Sequence, residues 1–369
     1  MAVTPSTPAP DVTALSATAD GGATVYRRRH LKRDGRTLFL YGYEPHDLPV
    51  QAEDPGVSNG AGEMRFHPLR REWNIYAPHR QGRTFKPSAA DDPLAPTQPG
   101  GPATEIPFTD FEIAVFENKF TSLREDAPSP DPNAVPGVTR AAATGHCDVV
   151  VYTPEGAGSL HSVGQARRRL LLAAWTDRYQ ALFAQGADFV LPFENRGDAV
   201  GVTLHHPHGQ IYAFGTTPAV QQQAARSFAD GYDLCAEMDA WDDYVVCEAG
   251  GLVALCPPFA RFPFETWIVP RRAVRGPWAF DDTQSDGFAH LLGEMTRRLD
   301  AHFGVATPFM LNLQAAPQSA ERWQFTARFL PLLRAPGRVK YLASVEQSTG
   351  LFTVDVMPEQ AAKTLRALA

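Results

Sequence analysis

The chain is poor in cysteine: Cys147, Cys235, Cys247 and Cys256 are the only 4 in 369 residues, and they stand far apart. No pair has Cys-x-x-Cys spacing, which excludes a zinc ribbon or a thioredoxin-type centre built on that motif. So sparse a set also excludes the disulfide framework of a small secreted domain, and the thiols read as inert groups of a reducing compartment. Long apolar runs are missing as well, and none approaches the length that spans a bilayer. Residues 1–22 lack the hydrophobic stretch of a secretory signal and are rich in Ala, Pro, Thr and Ser, so a disordered lead is expected there. These absences point to a cytoplasmic protein with no membrane partner. A basic excess is also absent: 34 Lys and Arg stand against 41 Asp and Glu, a net charge of −7. That balance argues against a surface that coats nucleic acid, while leaving room for a local basic pocket.

What remains is an ordinary globular composition, 44% hydrophobic and 20% charged. The length suits two or three domains, or one large domain built from two similar halves. The most informative stretch is Phe193 to Phe214, FENRGDAVGVTLHHPHGQIYAF. Its β-branched run Val200 to Leu204 predicts a strand. Then come His206-Pro207-His208-Gly209-Gln210, in which Pro207 and Gly209 break regular pairing and bring the backbone close to whatever lies beside the imidazoles. A neutral imidazole is a good nucleophile toward phosphorus, and its adduct carries a cationic leaving group, so the step reverses easily. Gln210 supplies an amide that bonds a phosphate oxygen without titrating. A lone histidine beside a turn is usually a packed one. Two of them bracketing proline, with Gly-Gln behind and Phe-Glu-Asn ahead, favour chemistry.

Elsewhere the pattern alternates strands and helices. Thr24 to Tyr43 reads as a hairpin turning at Asp34-Gly35. Arg65 to Leu69 and Trp73 to Arg83 read as a strand ending in a basic turn, where Arg80 and Arg83 have the guanidinium fork that suits phosphate. Phe111 to Phe120 is a strand running into a turn, and its aromatics suit core packing as well as a binding wall. Cys147 to Pro154 is a buried strand, and Val163 to Gln185 has helical spacing. Further on, Pro218 to Trp241, Ser285 to Phe303 and Pro358 to Leu368 read as helices. Tyr244 to Leu255, Glu265 to Val269, Phe309 to Leu313, Gln324 to Phe329 and Arg338 to Ala343 read as strands. The order strand, strand, helix, motif strand therefore recurs, with Trp323 to Pro331 in the second half at the place of the histidine motif.

The motif segment resembles the active-site segment of galactose-1-phosphate uridylyltransferases, a branch of the histidine-triad superfamily, and the likeness runs from about Gly62 to the C-terminus. The resemblance implies an α+β fold of two fused histidine-triad-like halves sharing a mostly antiparallel sheet flanked by helices. The halves would be 23–215, carrying the motif, and 216–369. His208 matches the family's nucleophile and Gln210 the glutamine that bonds the transferred phosphoryl group, with His206 supporting His208 by packing and hydrogen bonds. Asn195, Gly201 and Thr203 match positions that line the phosphates, Thr203 standing where serine is common. Arg80 and Arg83 match phosphate contacts that can reach across a homodimer interface. Leu94, Phe116 and Asn118, with Phe120, match nucleotide contacts. At the sugar-facing end Lys340 and Glu346 are kept, but Val345 replaces a common aromatic.

The implied reaction moves a nucleoside monophosphate, uridylyl by resemblance, between a nucleotide sugar and a sugar 1-phosphate through a nucleotidyl-histidine. Many members of the family also carry zinc on Cys-x-x-Cys, a later His and the first His of the motif. Here those positions read Asp92-Pro93-Leu94-Ala95, Gly156 and His206. A second metal site falls on Gln314, Thr326 and Arg328, with no Glu at its fourth position. Neither metal, and no other cofactor, is therefore expected. Three rivals stand beside this reading. One is a related enzyme that makes a nucleotide sugar from a nucleoside triphosphate, or phosphorolyses one. A second is a dinucleotide hydrolase, which Gln210 disfavours because an amide cannot donate the proton that hydrolysis needs. The third is a non-catalytic nucleotide binder.

Overall fold

A computed structural model describes residues 11–15, 23–46, 49–50, 60, 62–82, 87–88 and 91–369. Strands β1 (Asp11–Leu15), β2 (Val25–Leu31) and β3 (Thr37–Gly42) form an antiparallel meander. The β2–β3 turn forms at Asp34-Gly35 as expected. Gly35 takes φ +86°, and Asp34 Oδ1 accepts the Arg36 backbone N–H at 3.1 Å. β1 corrects the expectation of a wholly disordered lead: Asp11–Leu15 pairs along β2, and Leu15 packs on the main core. The stretch that read as one strand and a basic turn is a hairpin of β4 (Glu63–His67) and β5 (Glu72–Tyr76), followed by a short 3-10 turn over Pro78–Gly82.

The chain continues through β6 (Ile113–Glu117) and β7 (Arg140–Ala142), which adds to β4 in a small separate sheet. Then follow β8 (Gly145–Val151), α1 (Gly164–Ala184), β9 (Phe189–Arg196) and β10 (His208–Phe214). The second half opens with α2 (Ala219–Ala229) and α3 (Leu234–Met238), a helical stretch interrupted where Gly231 takes φ +102°. It continues with β11 (Val245–Ala249), β12 (Leu252–Leu255), β13 (Thr266–Pro270), α4 (Asp282–Phe303), β14 (Phe309–Gln314) and β15 (Thr326–Pro331). A small ribbon of β16 (Leu333–Ala335) and β17 (Arg338–Val339), then α5 (Ser344–Thr349) and α6 (Pro358–Arg366), complete it. The strand expected at Arg338 to Ala343 is thus two residues long, because Lys340 turns inward and α5 begins at Ser344.

Twelve strands form one antiparallel sheet in the order β1-β2-β3-β6-β8-β10-β9-β14-β15-β13-β12-β11. The order mirrors itself about the β9–β14 seam. The run β8-α1-β9-β10 on one side corresponds to β13-α4-β14-β15 on the other, the repeat anticipated in the sequence. Helices α1 and α4 cover one face. α1 buries Leu171, Ala174, Trp175, Tyr179 and Leu182, and α4 buries Phe288, Leu291, Leu292, Met295, Leu299 and Phe303. Both follow the i, i+3, i+4, i+7 spacing of a buried helix face, although α1 also buries Arg168 and Arg178 instead of exposing all its arginines. α4 begins at a capping box, Asp281 with Gln284, and ends at Gly304 in a left-handed turn. Each large side chain so buried contributes roughly 1.5–3 kcal/mol of transfer free energy. No helix among the described residues is long and apolar enough to cross a membrane.

The seam joins the halves through backbone and core together. Phe309 lies opposite Arg196 and Asn312 opposite Phe193, Leu311 is fully buried, and Arg196 bonds both oxygens of Asp300 at 2.8 and 2.9 Å. Such a seam predicts one cooperative unfolding transition. Leu311→Ala should lower stability by about 2–5 kcal/mol, the usual result of a buried Leu cavity. Both halves should shift together in urea followed by tryptophan fluorescence and circular dichroism. Two separated transitions would show the halves to be independent.

Candidate active site

Strand β10 lies between β8 and β9, with Gln210 opposite Val149 on one side and Phe193 on the other. The two-residue period of a strand puts His208, Gln210 and Tyr212 on one face, and Gly209, Ile211 and Ala213 on the other. Ile211 and Ala213 are buried in the main core. Gly209 is a glycine for a steric reason: a Cβ there would collide with the Tyr152 hydroxyl and the Phe193 carbonyl. The expected strand at Val200 to Leu204 is absent. Gly197 and Gly201, at φ +87° and +79°, bracket one 3-10 turn (Asp198–Val200), and residues 201–207 pass over the cleft as a loop. β-branched residues favour a strand only where a partner edge exists, and these left-handed glycines turn the chain away from one.

The two motif histidines do different work. His208 Nδ1 lies 2.7 Å from the His206 carbonyl oxygen. A carbonyl only accepts, so Nδ1 carries the proton and Nε2 keeps its lone pair for the cleft. Burial holds the His208 imidazole below its ordinary value, so it is neutral near pH 7. His206 is buried, with Nδ1 at 2.6 Å from Asp92 Oδ2 and Nε2 at 2.7 Å from the Thr153 carbonyl. Both ring nitrogens are thus taken up, one by a carboxylate and one by a backbone carbonyl. Burial alone would raise the Asp92 carboxyl. The bonds from His206 and the Leu94 N–H outweigh it and hold that group below its usual range.

In front of this pair opens a cleft of about 390 Å³. It brings together His208, Gln210, Asn195, Gly201, Thr203, Arg80, Leu94, Phe116 and Asn118, along with Phe120. Arg80 is steered by the Phe120 carbonyl (2.6 Å) and the Tyr212 hydroxyl (3.4 Å). His206 lies behind His208, outside the lining. Arg83 lies outside the described residues. Lys340 and Glu346 do not line this cleft. They bond each other, Nζ to Oε1 at 2.8 Å, and Lys340 also reaches the Thr353 carbonyl. Sequence reasoning missed Tyr212, Phe193 and Glu105 as lining residues. For Tyr212 a signal existed, since it follows His208 and Gln210 at the strand period. Glu105 sits in a Pro- and Gly-rich loop with no periodicity, and had none.

Residues 55–218 match the family described as galactose-1-phosphate uridyl transferase, N-terminal domain. The galactose-1-phosphate uridylyltransferase of Thermotoga maritima is 32% identical over 82% of this chain and 98% of its own length. That of Streptomyces lividans is 32% identical over 91% and 96%. The chain belongs to the galactose-1-phosphate uridylyltransferase family. It is therefore an enzyme of the transferase class. Among solved structures, a uridylyltransferase superposes with a TM-score of 0.72 at 24% identity, over 83% of this chain and 97% of that one. An ADP-glucose phosphorylase from Arabidopsis thaliana with bound ADP-glucose gives 0.62 at 20% identity, over 84% and 100%. At those identities the two structures speak for the fold alone.

The zinc that many uridylyltransferases of this family carry does not fit these residues. Ala95 offers a methyl, and Gly156 offers nothing. The place a Gly156 Cβ would take is 3.3 Å from Asp92 Oδ2 and 3.9 Å from His206 Nδ1. Zinc needs four N, S or O ligands in a tetrahedron. Here His206 and Asp92 have turned to each other, and both nitrogens of His206 are committed. At the second position Gln314 bonds Gln221 (3.2 Å) and Asn312 (2.8 Å), while Arg328 brings a cation. No group of three His, Cys, Asp or Glu that would hold a metal exists among the described residues.

The Asp92–His206 pair then tethers the 92–97 loop to the motif. A carboxylate whose folded pKa is depressed stabilises the fold at pH above its ordinary value near 4, and loses that contribution as pH falls through the folded value. Asp92→Asn keeps an acceptor and removes the charge. It should lower stability at pH 7 by about 1–2 kcal/mol. It should also remove part of the acid-side loss seen below about pH 4 in denaturant titrations. An unchanged midpoint and acid profile would show the pair to be idle.

Proposed function

We propose that this enzyme moves a uridylyl group between a UDP-sugar and a sugar 1-phosphate, with His208 as the covalent carrier. The observation that carries the proposal is the bond from His208 Nδ1–H to the His206 carbonyl, which leaves Nε2 as the basic nitrogen of the cleft. Nε2 attacks the α-phosphorus, an N–P bond forms, and the bond to the β-phosphate oxygen breaks. The sugar 1-phosphate departs with that electron pair. The ring keeps its Nδ1 proton, and the positive charge it gains faces the His206 carbonyl dipole. An oxygen of the second sugar phosphate then attacks the same phosphorus and expels the neutral imidazole. In transfer of this kind positioning and charge stabilisation do most of the work. Arg80, Gln210 and Thr203, all on the cleft wall, supply donors for the phosphate oxygens. Gln210 stabilises without offering a proton, which favours waiting for a sugar phosphate over hydrolysis.

The same reading includes a homodimer. Trp73, Ile75 and Tyr76 expose one edge of the small sheet beside the turn that carries Arg80. An exposed cluster of large apolar groups is the mark of an association surface. Lys340 and Glu346 do not line the cleft of their own chain, so a sugar-contacting role for them requires the cleft of another copy.

Two experiments test the proposal. Incubation with UDP-glucose labelled in the uridylyl group should give an acid-labile, base-stable adduct on His208. His208→Ala should abolish both adduct and transfer, and His206→Asn should keep some labelling. Adduct formation that persists without His208 would refute the assignment. The family's metals are proposed to be dispensable here because their ligands are replaced. Elemental analysis of the purified enzyme should find far less than one zinc or iron per chain, and chelators should leave transfer intact. About one metal per chain would overturn this.

A further inference from the structure

Glu105 is the only carboxylate among the described residues lining the cleft. Its backbone N–H bonds the Pro93 carbonyl at 2.9 Å, which sets it beside Leu94, and its side chain is buried. Two cations stand behind it: Lys32 Nζ at 2.5 Å and Arg36 Nη2 at 2.7 Å, with Arg36 also held by Asp34 at 2.7 Å. Both cations bind the same oxygen, Oε2. Oε1 carries no donor from the described residues. Bonded to two cations, the carboxylate acts as a pure acceptor. Lys32 Nζ lies 5.6 Å from the Phe116 ring centroid, so this group belongs to the Leu94, Phe116 and Asn118 end of the cleft, away from the histidines. There Asn118 spends its own Oδ1 on the Phe120 N–H at 2.9 Å, which leaves its NH₂ as a donor. Apolar walls with one donor and one acceptor fit the edge of a flat ring that presents C=O next to N–H.

We infer that Glu105 determines base specificity: its Oε1 accepts the N3–H of uracil while Asn118 donates to a neighbouring ring carbonyl. This rests on the uridylyl reading above. Cytosine carries a lone pair at N3, which the carboxylate repels, and N3-methyluracil has no proton there.

The test measures binding of UMP, N3-methyl-UMP and CMP by calorimetry, to the native protein and to Glu105→Gln. The native protein should bind UMP at least tenfold more tightly than either analogue, the effect of one charged hydrogen bond. The amide introduced by Glu105→Gln can donate or accept, so the UMP-to-CMP ratio should fall by roughly tenfold in that variant. Should the single variant fail to fold for want of a partner to Lys32, Lys32→Met with Glu105→Gln removes both charges of the pair. N3-methyl-UMP binding the native protein within about threefold of UMP, or an unchanged UMP-to-CMP ratio in a folded variant, would overturn the inference. Failure of UMP itself to bind would instead refute the uridylyl reading.

Discussion

The hydrogen bond between His208 Nδ1–H and the His206 carbonyl is the constraint on which the rest of the site depends. It fixes a tautomer, and the tautomer decides which nitrogen keeps its lone pair for the cleft. A backbone acceptor is well suited to this task. A carboxylate in its place would favour the charged imidazole and cost Nε2 its lone pair, whereas a neutral carbonyl orients the ring and leaves burial free to keep it uncharged. The carbonyl is held in turn because His206 is anchored at both ends, by Asp92 and by the Thr153 carbonyl. Pro207 between them has no N–H, and its own carbonyl accepts the Tyr152 N–H at 3.2 Å. The chain therefore enters β10 at His208 in one fixed direction.

Beneath that strand the sheet carries a second polar layer. Burial pushes Glu194 up to about 7, beside the Tyr152 hydroxyl that fills the space under Gly209. The Tyr152 hydroxyl and the Phe193 carbonyl explain why position 209 admits no side chain. Local sequence, packing and chemistry thus meet at one glycine.

The parts legible in sequence were those whose signal is local. An Asp-Gly turn, the helical apolar spacing of α1 and α4 and the histidine motif each lie within a few residues of chain. The alternation His208, Gln210, Tyr212 was a local signal of the same kind, but the reading stopped at Gln210 and missed Tyr212. What was not legible depends on distant partners. β1 exists because β2 offers it an edge, while residues 201–204 lack such an edge despite their β-branched side chains. Asp92 read only as a missing metal ligand, because its bond to His206 spans 114 positions. Glu105 gave no signal at all, since its partner Lys32 lies 73 positions away along the chain.

The mirrored second half shows how far the fold and the chemistry separate. β15 occupies the place of β10, and its face carries Thr326 and Arg328 where β10 has His208 and Gln210. Arg328 donates to Thr326 at 2.9 Å and lies 4.1 Å from the Trp267 ring centroid, and burial draws its guanidinium down to about 10. A cation packed on an aromatic face stabilises the strand but offers no lone pair to phosphorus. The repeat thus keeps the sheet, the crossing helix and the apolar seam, because both halves need them to bury a core. It keeps a neutral imidazole facing an open cleft only where a carbonyl, a proline and a paired histidine hold that ring in place.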